Sequence, residues 1–191
     1  HYDSDTEVKQ IRTLMERGID GLFLVGHQRR PEIYRQLEEA RIPYVCTYTI
    51  DHSHGMCVGY DNAAAMRRLV EYLVQLGHRR FGILTSPTHN NDRIAARFKG
   101  AVEAIAGFGL GAPEVVEAPY AAGEGRAGLR AIMTRAPSIT AVVCTTDLHA
   151  IGAVAEARSL GLPVPSRLSI TGFDDLDIVI AAEHLRRLAH E

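Results

Sequence analysis

The sequence predicts an α/β fold of parallel strands flanked by helices, on three observations. Short apolar runs alternate with longer segments of helical periodicity along the chain. The ends of those helical segments carry the expected capping residues. The chain of 191 residues, 46% of them hydrophobic, is long enough for one sizeable core or for two small lobes with a cleft between them.

The elements follow in order. Gly21–Val25 reads as a strand and leads to the helical PEIYRQLEEARI. Tyr44-Val45-Cys46 is a strand that runs into a loop. AAAMRRLVEYLVQLG is a helix before the strand RRFGILTS, and RIAARFKGAVEAIAGFG a helix before EVVEA. GRAGLRAIMTRA then precedes TAVVCTT, and DLHAIGAVAEARSLG precedes SITGF. Asn62 or Asp61 is placed to cap the helix starting near Ala63, with Gly77 as its stop. Asp147 stands between a strand and an apolar helix, where a carboxylate caps free N–H groups and complements the helix dipole. Gly161 closes that helix.

Charge and cysteine usage exclude several classes. Lys and Arg number 21 against 23 Asp and Glu, a formal charge of −2 with pI near 6.5, so the chain offers no field for holding a polyanion. Cys46, Cys57 and Cys144 are odd in number and lack close spacing; reduced thiols in a cytoplasmic protein are the expectation. No apolar stretch approaches the roughly 20 residues of a membrane span. HYDSDTEV lacks an initiating Met and reads as the tail of a strand, so a fragment is expected.

Five stretches invite a chemical reading. DHSHGMC gathers His52, His54 and Cys57, but the spacing matches no standard zinc site and a polar loop is the better account; no metal and no cofactor are expected. GFGLGA follows a helix, whereas a dinucleotide loop must follow a strand, so it reads as a helix end and turn. GHRRF, with His78, Arg79 and Arg80, is a turn into a strand rather than a phosphate site. Arg93 and Arg97 lie one helical turn apart on one face, either as exposed surface arginines or as ligand donors. Asp147 and Asp174 each stand at the carboxyl end of a predicted parallel strand, where ligands of open α/β sheets bind; capping competes with that role for either. A carboxylate opposite an arginine suits polyhydroxyl recognition, since Asp accepts from hydroxyls and Arg donates to oxygens. No Ser/His/Asp order, activated Cys or pair of catalytic acids emerges, so the chain is not expected to be an enzyme.

YDN at 60–62, LVEYLVQLGHRRFGIL at 69–84, RIAARFKGAVEAI at 93–105 and TAVVCTTDLHAIGAVAEARSLGLPVPSRLSITGFDD at 140–175 agree in order, spacing and wording with one family. With TEVKQIRTLMERGIDGLFLVG near the start, nearly the whole chain resembles the effector-binding core of LacI/GalR-family bacterial transcriptional regulators. The resemblance implies a periplasmic-binding-protein-like fold of two α/β lobes, with a small metabolite, a sugar ahead of a nucleobase-type compound, in the cleft. It also implies a homodimer, in which an N-terminal helix-turn-helix, absent from this sequence, binds operator DNA. By motif, Arg97 matches the arginine before Phe-Lys-Gly that reaches into the effector pocket. Asp147 matches the acid of an Asn-Asp pair whose first member here is Thr146, and Asp174 the first acid after Gly-Phe. Arg93 and Asn91 fall in a loop lining the cleft, and Phe173 in its apolar wall.

The same resemblance places residues 1–59 in an incomplete N-terminal lobe, 60–177 in a C-terminal lobe, and 178–191 in a helix returning to the N-terminal lobe. Relatives insert a crossing strand after Gly-Phe-Asp-Asp. Here VIAAEHLRRLAHE joins DLDI directly, so residues are expected to be missing between Ile178 and Val179. The alternative reading is a solute-binding protein of a sugar transport system, which shares the two-lobe fold.

Overall fold

The structure, a computed structural model, describes residues 3–176. The expectations for the 178–191 helix and the Ile178–Val179 junction lie outside these residues. Among them two compact units are formed: Asp3–Asn62 together with Thr88–Ala96, and Ala63–Pro87 together with Arg97–Leu176.

In the first unit, α1 (Ser4–Glu16), β1 (Leu22–Val25), α2 (Pro31–Glu39), β2 (Tyr44–Thr47) and β3 (Cys57–Val58) follow one another. The strands form a parallel sheet in the order β1-β2-β3, with Leu24 opposite Cys46 and Cys46 opposite Cys57. The expected loop after Cys46 thus ends in a two-residue strand, too short to show as an apolar run. The N-terminal segment is helical rather than a strand tail, because the Asp3 carboxylate caps α1 by accepting from Thr6 N at 3.0 Å. Pro31 opens α2, where its missing N–H costs nothing. Val8, Ile11, Leu24, Ile33, Tyr34, Leu37 and Cys46 form the core on one face of the sheet. Phe23 and Val25, pointing the other way by the strand's period of two, are exposed.

The second unit is built from α3 (Asn62–Gln75), β4 (Phe81–Thr85), α4 (Asp92–Gly107), β5 (Glu114–Glu117), α5 (Ala122–Arg135), β6 (Ala141–Cys144), α6 (Asp147–Ser159) and β7 (Ser169–Thr171). Asn62 and the first turn of α4 group with the first unit. Its sheet is parallel, in the order β5-β4-β6-β7. Strands β4 and β6 are buried throughout, as a parallel sheet covered on both faces requires. Their alternation divides two cores. Leu84, Val142 and Cys144 pack with Leu129, Ile132, Ala153 and Ala157 of α5 and α6. Phe81, Ile83, Ala141 and Val143 pack with Met66, Val70, Leu73, Ala101 and Ile105 of α3 and α4. Burial pushes the Cys144 thiol up, so it serves as an inert apolar group. The chain steps from β4 outward to β5, then back across β4 to β6, which makes the carboxyl ends of β4 and β6 the switch point of the sheet.

Helices α5 and α6 approach closely through Gly125 and Gly152. A Cβ on Gly152 would collide with Ala122 O and lie 2.9 Å from Gly125 Cα. Helix propensity alone favours Ala over Gly by about 1 kcal/mol. Gly152→Ala is nevertheless expected to destabilise the protein by about 2 kcal/mol, because backbone cannot yield as a side chain can. Chemical denaturation of the variant checks the sign.

Candidate functional site

Three segments at the carboxyl edge of the second sheet come together: the β6–α6 turn, the Arg97 side chain of α4, and the turn after β7. Arg97 is buried along with Arg93, so the reading of two exposed surface arginines does not hold. Its guanidinium donates to Thr145 O at 3.0 Å, and as a fork to both carboxylate oxygens of Asp174 at 3.0 and 3.3 Å. The fixed planar geometry of guanidinium matches a carboxylate in this two-bond mode. The Phe173 ring lies under the guanidinium carbon, 3.6 Å from ring centroid to Cζ. One side of the pair is open, since Asp174 keeps 34% of its side chain exposed while Arg97 keeps 6%.

The expected cap of α6 is corrected. Thr146 is the N-cap residue and accepts from His149 N at a long 3.5 Å. The Asp147 carboxylate turns the other way and accepts from Phe173 N and Leu176 N, each at 2.7 Å. Beside it Thr145 Oγ1 donates to Thr85 Oγ1 at 3.1 Å and accepts from Ser86 N at 3.4 Å, tying the carboxyl ends of β4 and β6. Arg97, Thr146, Asp147, Phe173 and Asp174 are therefore brought together in one unit. Arg93 groups with the first unit, in the first turn of α4 and not in a loop. There it donates to Val25 O at 3.0 Å and pairs with Asp92 at 3.0 Å. Asn91 is buried and accepts from Ile94 N at 3.3 Å, the geometry of a helix start.

Other predicted stretches have structural roles. His78 bridges Thr140 Oγ1 at 2.9 Å and Ser169 Oγ at 3.0 Å, while Arg79 and Arg80 donate to the carbonyls of Val74 and Ser138. His52 lies 3.5 Å from Cys57 Sγ, and among the described residues no group of three candidate ligands is placed to hold a metal. Gly109, beyond the end of α4, adopts φ +67, as a helix-terminating turn demands. Among the described residues, no helix is long and apolar enough to cross a membrane.

Several groups escaped the sequence reading. At the edge of the first sheet, His27 faces Asp92 Oδ2 at 2.9 Å and Asp51 Oδ2 at 3.3 Å. Hydrogen bonds from Ser53 hold the Asp51 carboxyl below its ordinary range. In the second unit, the buried Glu156 accepts from Arg126 Nε at 3.2 Å and Arg130 Nε at 2.8 Å. A lone carboxylate within the apolar GAVAEARS stretch, facing two arginines spaced i, i+4, was the available signal. The shallow depression that these arginines line on α5 shares no residue with the Arg97 cluster.

A doubly wound parallel sheet with charged groups gathered at its switch point is the architecture of α/β ligand-binding domains. A family model described as periplasmic binding proteins and sugar binding domain of the LacI family matches residues 1–186. An HTH-type transcriptional regulator of Streptomyces limosus is 33% identical over 184 residues, 91% of this chain and 52% of that protein. The HTH-type transcriptional regulator GntR of Escherichia coli K12 is 30% identical over 182 residues, 93% of this chain and 54% of that protein. The solved structure of the transcription regulator GntR from Chromobacterium violaceum matches with a TM-score of 0.85 at 27% identity, over 93% of this chain and 66% of that one. The chain belongs to the LacI family, in its periplasmic-binding-protein-like effector-binding domain. It spans about half the length of the curated relatives it matches.

One buried histidine sets a pH dependence. His149 Nε2 faces Pro119 O at 2.8 Å and must carry the proton, which leaves Nδ1 without a partner among the described residues. Burial lowers its pKa by penalising the imidazolium, as it does for His78. Below the unfolded value near 6.5 the unfolded chain binds protons that the folded chain refuses, so stability falls as pH drops through that value. Each such histidine contributes at most about 1.4 kcal/mol per pH unit. Thermal melts between pH 7 and pH 5 should show a shallower loss for His149→Leu than for the parent.

Proposed function

We propose that this chain is the effector-sensing domain of a DNA-binding transcription regulator, and that it binds a small polyhydroxylated metabolite of the sugar class. Arg97 and Asp174 are the central contacts. Asp174 accepts from ligand hydroxyls, Arg97 donates to ring or hydroxyl oxygens, and Phe173 backs the Arg97 guanidinium from beneath as part of the apolar wall. Thr146 stands where the family resemblance places an Asn, so a side-chain amide contact is replaced by a hydroxyl. In this reading Arg93, bonded to Val25 O and Asp92 in the first turn of α4, is a secondary contact. A longer protein contacts operator DNA through a helix-turn-helix, acts as a homodimer in the cytoplasm, and is switched by the effector's difference in affinity for its two conformations.

The observation that carries the reading is the forked Arg97–Asp174 pair over Phe173, with one side open, at the switch point of the sheet. A charged donor and a charged acceptor side by side match the paired donors and acceptors of vicinal hydroxyls. The family match supplies the class of ligand-responsive regulator.

A thermal-shift panel of sugars on the complete protein is the direct test. A true effector at 100 times its Kd stabilises by about 2.7 kcal/mol, enough for a clear rise in Tm. Arg97→Ala and Asp174→Ala should each lower affinity at least tenfold, since hydrogen bonds to charged groups contribute about 1.5–3 kcal/mol. Unchanged affinity in both variants by isothermal titration would sink the assignment.

A further inference from the structure

We propose that Asp147 is a positioning residue that holds the turn carrying Phe173 and Asp174 against Arg97, and that it makes no contact with ligand; the ligand-binding part rests on the function proposed above. Asp147 is buried, with 5% of its surface exposed, and each carboxylate oxygen accepts one backbone N–H at 2.7 Å, from Phe173 and from Leu176. Those are short, charge-assisted bonds. Because Thr146 is the cap of α6, Asp147 is not needed to satisfy the helix N-terminus. Its negative charge still gains from the positive end of the α6 dipole, so burial there is tolerated.

The turn requires such a tether. Pairing of β7 with β6 stops at Val143 opposite Thr171, so among the described residues no strand partner holds Gly172–Leu176. Asp174 and Asp175 adopt φ of +102 and +54, a left-handed region that a side chain disfavours and that persists only where the surroundings impose it. Gly172 passes so close to the tether that a Cβ there would collide with Asp147 Oδ1. The glycine before Phe173 is thus dictated by the close approach of the carboxylate. Through these two bonds the β6–α6 junction fixes the turn that presents Asp174 to Arg97 and slides Phe173 beneath it.

The test compares Asp147→Asn with Asp174→Asn in the complete protein. Asn keeps one acceptor but turns a donor toward an N–H group, so one tether bond is lost. Hydrogen-exchange mass spectrometry on ligand-free protein should show Asp147→Asn exchanging at least tenfold faster over residues 172–176 and unchanged over α1 and α2. The Arg97 Nε–H resonance in a 15N spectrum should move at the same time. Asp174→Asn should move that resonance while leaving amide protection at Phe173 and Leu176 intact. Wild-type exchange in Asp147→Asn, or equal loss of protection in Asp174→Asn, would overturn the proposal. Titration with the free mono- and disaccharides of the panel separates the two claims. Weaker binding by Asp147→Asn with the turn still protected would make Asp147 a contact and contradict the tether. Absence of any binding to the parent, alongside the expected exchange pattern, would remove the sugar reading and leave the tether standing.

Discussion

Both oxygens of a single buried carboxylate, Asp147, are bonded to backbone amides of the segment that follows the last strand, and the arrangement of the site depends on that constraint. A strand's hydrogen bonds end where its pairing ends, and among the described residues Gly172–Leu176 has no ladder to follow. A charge placed at the start of α6, itself set by the buried strand β6, supplies the missing partners. The geometry of Arg97, Phe173 and Asp174 follows from that anchoring. In the proposed function, the open side of the Asp174 carboxylate is what remains for a ligand.

Burial on both faces of the sheet explains why the anchor stays in place. Successive residues of β6 alternate between the core under α3 and α4 and the core under α5 and α6. A shift of one residue would exchange every side chain between the two cores, so the register of β6 is strongly determined. The end of β6, and with it Thr145, Thr146 and Asp147, is fixed to the same degree. Gly125 and Gly152 add a second restraint by bringing α5 and α6 into backbone contact. The charged cluster therefore sits on a rigid edge, as recognition of a small ligand by a few polar groups requires.

Much of this was legible in the sequence because its signals are local. Apolar runs such as AVVC and the helical period of LVEYLVQLG are read within one element, and they located the strands and helices of the second unit. Strand β3 was not legible, since two residues carry no period. Arg97 stands out by helix spacing, Asp174 by its place at a strand end, and both by motif resemblance, but their bond joins residues 77 apart in the chain, and no local pattern encodes it. Three consecutive polar residues, Thr145, Thr146 and Asp147, follow β6, and local rules assign the cap to the carboxylate. The choice of Thr146 is made by amides 26 and 29 residues away that compete for Asp147 and outbid the helix N-terminus. Glu156 was missed for the converse reason. Its neighbours in sequence make it look like an interruption of an apolar helix, whereas its partners lie on α5.

The central claim is that the Arg97–Asp174 pair receives the effector. A crystal structure of the complete protein with a bound effector tests it most directly. The account predicts a ligand hydroxyl within roughly 2.7–3.2 Å of both the Asp174 carboxylate and the Arg97 guanidinium, with Asp147 still accepting from Phe173 N. Ligand density elsewhere, with the pair undisturbed and untouched, would contradict it.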